Sequence, residues 1–122
     1  MIYGVGIDII EINRFDDNIL NKRFLERVYG KQELEYLLLK NKKESFAVNF
    51  CAKEAFSKAL GTGIKGFKLN EVQVLRSDEG KPYYKLDGEA LRLTEIANVK
   101  LSLSLSHSKL YATAVAIAEK IE

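Results

Sequence analysis

The chain has 122 residues, 47% of them hydrophobic, enough for one domain with a buried core and too few for two of ordinary size. Its 19 basic and 17 acidic residues leave a net charge of +2, which excludes nucleic-acid binding through bulk charge while allowing a local basic cluster that attracts an acidic protein. The single cysteine, Cys51, excludes an intramolecular disulfide, and no apolar run approaches the ~20 residues of a membrane span.

The opening MIYGVGID has no basic leader, and Asp8 interrupts its apolar run, so it does not read as a signal peptide. The expectation is a soluble, cytoplasmic protein of one domain over residues 1–122. Ile2, Val5, Ile7 and Ile9 predict a first strand, with Asp8 on the face opposite Ile7 and Ile9. A short helix is expected within Glu11 to Ile19. Asn21 is a suitable N-cap for a helix from Lys22 to Val28, with Gly30 ending it. Leu34, Leu37 and Leu38 stand at helical spacing between Lys31 and Lys40. A longer helix runs from about Lys43 to Leu60, with Gly61 where a left-handed cap belongs. Leu69, Val72 and Val74 suggest a strand, Ser77 to Gly80 a turn, and Pro82 to Leu86 a returning strand. Gly88 to Asn98 reads as a helix.

The last part is strongly β. Leu101, Leu103 and Leu105 alternate with serines, and Tyr111, Thr113, Val115 and Ile117 alternate with Ala112, Ala114, Ala116 and Ala118. The alanine face admits the close approach of another element or of another subunit. Helices first and hairpin strands last give an α+β fold, a largely antiparallel sheet packed with helices, one of them long and central.

Gly61, Gly63 and Gly66 spell G-x-G-x-x-G. A dinucleotide loop needs a strand before these glycines and a helix after them, so that the helix N-terminus meets the phosphates. Here a helix precedes them and a strand follows, so the glycines read as a helix stop and a tight turn.

The preceding helix carries more information. Ala47, Cys51, Glu54 and Lys58 fall on one stripe, while Phe46, Val48, Phe50, Ala52, Ala55, Phe56, Ala59 and Leu60 occupy most of the rest. A carboxylate and an ammonium thus stand among small residues on a core helix. The plain alternative is a solvent-facing Glu–Lys pair at i, i+4, worth ~0.2–0.5 kcal/mol; Lys53 reads as an ordinary exposed lysine. Asp8 adds a second carboxylate, in an apolar strand where it is costly unless paired or metal-bound. Asp8 and Glu54 would make an oxygen pair for Mg²⁺, which takes one or two carboxylates plus substrate phosphates and water. His107 closes the serine–leucine strand. It is either a structural histidine or, between Ser106 and Ser108, part of a phosphate site. Cys51 reads as a small apolar filler.

Three segments resemble the holo-acyl-carrier-protein synthases. Gly6-Ile7-Asp8-Ile9-Ile10-Glu11, with Arg14-Phe15 beyond, is similar to their opening motif, and Phe50 to Gly63 resembles their central helix motif. Ser104 to Ser108, followed by Tyr111 to Ala114, resembles their C-terminal motif, and Gly80-Lys81-Pro82 falls at the family's Gly-x-Pro turn. The likeness spans nearly the whole chain, and its length resembles the compact, stand-alone members. Phe50 stands where many members carry tryptophan.

The resemblance implies the 4′-phosphopantetheinyl transferase fold and its reaction. The 4′-phosphopantetheine arm of coenzyme A moves to a serine of apo-acyl carrier protein, leaving adenosine 3′,5′-bisphosphate, in support of fatty acid biosynthesis. It implies Mg²⁺ on Asp8 and Glu54 with the coenzyme A diphosphate, and Asp8, Glu54 and Lys58 as the catalytic set. Either Glu54 or a metal-bound water takes the serine proton. Lys58, Gly61, Pro82, Ser106 and His107 are the implied coenzyme A-binding residues, with Pro82 against the adenine. Arg14, Arg23 and Arg27, with Lys22 nearby, are the implied docking residues for an acidic carrier; without the resemblance they read as a solvated face. A homotrimer is implied, with sites at subunit interfaces to which Asp8 and Glu54 can come from different chains. Two rivals remain at this level: a non-catalytic trimeric ligand-binding module of the same fold, and a different Mg²⁺-dependent phosphate enzyme using the same carboxylates.

Overall fold

A computed structural model describes residues 1–122. It contains strands β1 (Ile2–Glu11), β2 (Val72–Arg76), β3 (Pro82–Leu86), β4 (Val99–His107) and β5 (Tyr111–Lys120). Its α-helices are α1 (Lys22–Val28), α2 (Lys31–Lys40), α3 (Lys43–Leu60) and α4 (Gly88–Ala97). β1, β5 and β4 form an antiparallel sheet in that order, and β2 and β3 form a separate antiparallel hairpin. The α+β expectation with one long central helix holds.

Small residues set how α3 sits on the sheet. Ala112, Ala114, Ala116 and Ala118 of β5 are buried beneath it, so the alanine face receives the core helix and not a second subunit. A Cβ on Gly4 would lie 2.0 Å from the Ala59 carbonyl oxygen, and one on Gly6 would lie 1.9 Å from that of Ala55. Only glycine permits that approach. Two strand residues advance ~6.6 Å and four helix residues ~6 Å, so the two elements stay in step. Gly4 meets Ala59, Gly6 meets Ala55, and Asp8 therefore arrives at Cys51, one turn from Glu54.

The ends of several elements differ from expectation. Two short 3₁₀ turns, Ile12–Phe15 and Asn18–Leu20, replace the helix expected within Glu11 to Ile19; a 3₁₀ turn eclipses side chains three apart, and Ile12 and Phe15 both go into the core. Asn21 caps α1 by accepting from the Phe24 amide at 3.1 Å. Gly30 does not end α1. It lies in extended conformation and starts α2, where the Glu33 carboxylate accepts from its amide at 3.1 Å. Leu69 belongs to a 3₁₀ turn (Leu69–Glu71) ahead of β2. Gly61 caps α3 with φ at +77°, and Asn98 caps α4 in the same left-handed region.

Lys53 is the largest departure. It is fully buried, with its ammonium 2.7 Å from Glu33, and it also donates to the carbonyls of Leu69 and Val72. Glu33 also accepts from the Asn49 amide at 3.0 Å. Burial holds the Glu33 carboxyl above its ordinary pKa and the Lys53 ammonium below its own. These hydrogen bonds tie α2, α3 and β2 together without water. Phe50 keeps the expected aromatic packing, edge to face with Phe15 at 5.7 Å between ring centres.

Candidate active site

Asp8, Glu54 and Lys58 meet within one chain. The Lys58 ammonium lies 3.3 Å from the Asp8 carboxylate and 3.0 Å from the Ile7 carbonyl oxygen. The simple i, i+4 pair with Glu54 is not formed, because Lys58 reaches across to β1. Glu54 is left half-buried with neither a hydrogen bond nor a salt bridge to its carboxylate. Burial and then the charge of Asp8 raise its pKa; Lys58 and Arg14 pull it down. Two carboxylates whose charges oppose each other, one of them unpartnered, form an incomplete oxygen donor set. That set fits a hard divalent cation whose remaining ligands come from phosphate and water.

Neighbouring groups hold this cluster. The Thr113 hydroxyl donates to the Asp8 carbonyl at 2.7 Å, fixing β1 where the acid is needed. Cys51 packs beneath Asp8 with its sulfur 3.4 Å from the Ala112 carbonyl oxygen. Burial, reinforced by Asp8, pushes its thiol up to about 12, so it stays protonated and inert, the filler expected. Arg14 is exposed beside the cluster, near enough to Glu54 for its charge to be felt. Arg23 and Arg27 are exposed on α1, and neither is engaged in a salt bridge. Gly61 lies one turn beyond Lys58, open to solvent, with its amide closing the helix on the Ser57 and Lys58 carbonyls.

Pro82, Ser106 and His107 come together elsewhere. They line a cavity of about 320 Å³ at the β4 edge of the sheet, walled also by Tyr36, Val48 and Arg76. His107 is exposed and its ring contacts only the Ser108 carbonyl, at 3.3 Å, so it is not a buried structural histidine. Arg76 and Tyr36 went unnoticed in the sequence: one ends a strand before a turn, the other lies mid-helix, and no periodicity marks either. A larger cavity, about 700 Å³, opens between α1, α2 and the turn before β2, without any of the expected site residues.

A carboxylate pair beside a lysine thus lies at one edge of the sheet, and a mostly polar cavity holding Arg76, Ser106 and His107 at the other. The profile of the 4'-phosphopantetheinyl transferase superfamily matches residues 4–116, and the chain belongs to that family. It is 46% identical over 122 residues to the holo-[acyl-carrier-protein] synthase of Treponema denticola, covering 98% of this chain and 99% of the relative. The crystal structure of the Neisseria meningitidis holo-[acyl-carrier-protein] synthase superposes with a TM-score of 0.91 at 31% identity, covering 98% of this chain and 100% of that one. The Bacillus anthracis holo-(acyl-carrier-protein) synthase, solved in complex with CoA (3',5'-ADP), superposes with a TM-score of 0.81 at 35% identity, covering 99% of each chain. No helix is long and apolar enough to cross a membrane.

Proposed function

We propose that this chain transfers the 4′-phosphopantetheine group of coenzyme A to a serine of apo-acyl carrier protein, releasing adenosine 3′,5′-bisphosphate, and so supplies holo-carrier for fatty acid synthesis in the cytoplasm. The observation that carries this reading is the meeting of Asp8, Glu54 and Lys58, with the Glu54 carboxylate unpartnered. Asp8 and Glu54 would hold Mg²⁺, which when bound neutralises diphosphate charge and stabilises the departing phosphate. Phosphoryl transfer is mostly positioning and charge neutralisation, and Lys58 adds a compact cation that approaches the same diphosphate. The proton of the attacking serine would go to Glu54 or to a metal-bound water. Pro82, Ser106 and His107 receive the nucleotide end, and Gly61 keeps the turn beside Lys58 free of side chain. Arg14, Arg23 and Arg27 receive the acidic carrier, chiefly by raising its rate of association.

The working unit in this reading is a homotrimer of one-domain chains spanning residues 1–122. The acid–lysine cluster sits at the β1 edge of the sheet and the cavity at the β4 edge. Ser45 of the cavity and Glu54 lie well over two turns, roughly 14 Å, apart along α3. A cluster from one protomer and a cavity from its neighbour make one compact site more readily than the two on a single chain. The outer sheet face supplies a surface for that contact: Val5, Ile7 and Ile9 are 55%, 64% and 66% exposed, beside Val115 and Ile117. Such a patch marks an association surface.

The test is to incubate the chain with coenzyme A, Mg²⁺ and apo-acyl carrier protein and weigh the carrier. A mass gain of one phosphopantetheine supports the reading. An unmodified carrier, from a preparation that binds coenzyme A, leaves the non-catalytic binding module.

A further inference from the structure

Gln73, on β2, has one half of its side-chain amide engaged and the other half free. The residue is only 6% exposed. Its oxygen accepts from the Glu33 amide at 2.9 Å, which satisfies an open donor in the first turn of α2. That bond fixes which way the side-chain amide faces, because only the oxygen can accept. The nitrogen has no partner in the protein. Every side-chain polar atom sealed from solvent has one, so this nitrogen reaches open space. The open space that Gln73 lines is the cavity of about 700 Å³ between α1, α2 and the turn before β2. Gly30 clears the way, since a Cβ there would lie 2.3 Å from the Gln73 Cγ. A donor at this depth is costly without an acceptor.

The rest of the lining is acidic around an apolar wall. Glu26 of α1, Glu35 of α2 and Asp87 ahead of α4 face Lys31, the one cation that lines the cavity. None of the three acids forms a salt bridge. Asp87 stands at the N-cap of α4, yet its side chain does not cap the helix. Tyr29, Leu34 and Leu38 supply the apolar wall. No three acids converge closely enough to hold a metal ion, so the charge is spread over three elements. A spread of this kind matches an extended organic cation.

We propose that this cavity is a second ligand site, for a small organic cation that also carries a carbonyl group, as an acylated arginine does. The carbonyl accepts from the Gln73 nitrogen, the aliphatic stem lies along Leu34 and Leu38, and the cation faces the carboxylates. The volume is that of a small-molecule site. No residue assigned to the transfer reaction lines the cavity, so the proposal stands apart from that reading.

The experiment records nitrogen–proton NMR spectra of the full ¹⁵N-labelled chain during titration with Nα-acetyl-arginine amide. A saturable shift of the Gln73 side-chain amide pair is expected, together with the Leu34 and Leu38 backbone amides. Nα-acetyl-citrulline amide has nearly the same shape without the charge and is expected to bind about fivefold to tenfold more weakly. Butylguanidine, a cation without a carbonyl, is expected to leave the Gln73 side-chain pair in place. Glu35→Gln combined with Asp87→Asn changes two exposed, unpaired acids, so the fold is spared. That variant is expected to bind the arginine probe no better than the citrulline one. An arginine probe that never moves the Gln73 pair overturns the site. So do equal affinities for the two acetylated probes, or shifts that spread over the acidic surface without saturating. Carrier modification is measured separately, so failure of either reading leaves the other standing.

Discussion

Lys53 and Lys58 stand little more than one turn apart on α3, and each faces a carboxylate from elsewhere in the chain. The Lys53–Glu33 pair is completely dry, at 0% exposure on both sides, and every polar atom in it has a protein partner. The Lys58–Asp8 pair is looser at 3.3 Å, with side chains 53% and 19% exposed, and it leaves Glu54 beside it unpartnered. Charge satisfied inside the protein serves structure, whereas charge left incomplete at an accessible edge is available to a ligand. A buried pair returns little net stability for its desolvation but is costly to break. An open pair contributes little stability and can exchange partners.

Breaking the dry pair should give the largest effect. Lys53→Met strands the Glu33 carboxylate and is expected to cost ~3–5 kcal/mol in denaturant unfolding. Adding Glu33→Gln, which needs no counter-ion, should recover much of that loss. A single variant as stable as wild type would erase the contrast. Next comes the open cluster: Glu54→Gln is expected to reduce turnover about a hundredfold or more, with the circular dichroism spectrum unchanged. Near-normal rates would remove Glu54 from the chemistry. A smaller effect belongs to the rim. Arg14→Ala should lower kcat/KM for the carrier on the order of a few-fold at low salt and converge with wild type at high salt. An equal deficit at every ionic strength would mean that Arg14 acts otherwise.

The smallest effect is the most diagnostic of the contrast. Glu54 has a folded pKa above its ordinary value, so its contribution to stability is fully present below the unfolded pKa and lost as pH rises through the folded one. At neutral pH the charged form is a burden on the metal-free protein. Glu54→Gln is therefore expected to melt slightly higher than wild type at neutral pH, with the difference vanishing as pH falls below the usual carboxylate range. A melting temperature below wild type at neutral pH would mean that the Glu54 carboxylate stabilises the fold and is not held in reserve for a ligand.

Much of the open site was legible because its chemistry conflicts with its surroundings. Asp8 in a β-branched strand and Glu54 on a helix of aromatic and small residues each break a hydrophobic pattern. The dry pair was equally anomalous and was missed. Lys53 shares a helical stripe with Phe46, Asn49, Phe56 and Leu60, which marks a core position. That stripe could have signalled burial, but its partner Glu33 looks like any acid in the first turn of a helix. The cavity residue Arg76 gave no signal, because its setting depends on Asn49 and Tyr36 from two other elements.

The strands and α-helices, their order, the caps at Asn21 and Gly61, and the alternation of the last hairpin followed from the sequence itself, while the 3₁₀ turns did not, because the former depend on patterns within one or two turns. Tertiary structure alone decided that Lys58 reaches Asp8 in preference to Glu54, that Lys53 lies in the dry interior, and that the alanine strand supports α3. Those outcomes depend on which faces meet, and Gly4 and Gly6 fix that meeting by letting β1 touch the α3 backbone. Contacts between residues remote in sequence are set by packing, and packing is resolved only when the whole chain has folded.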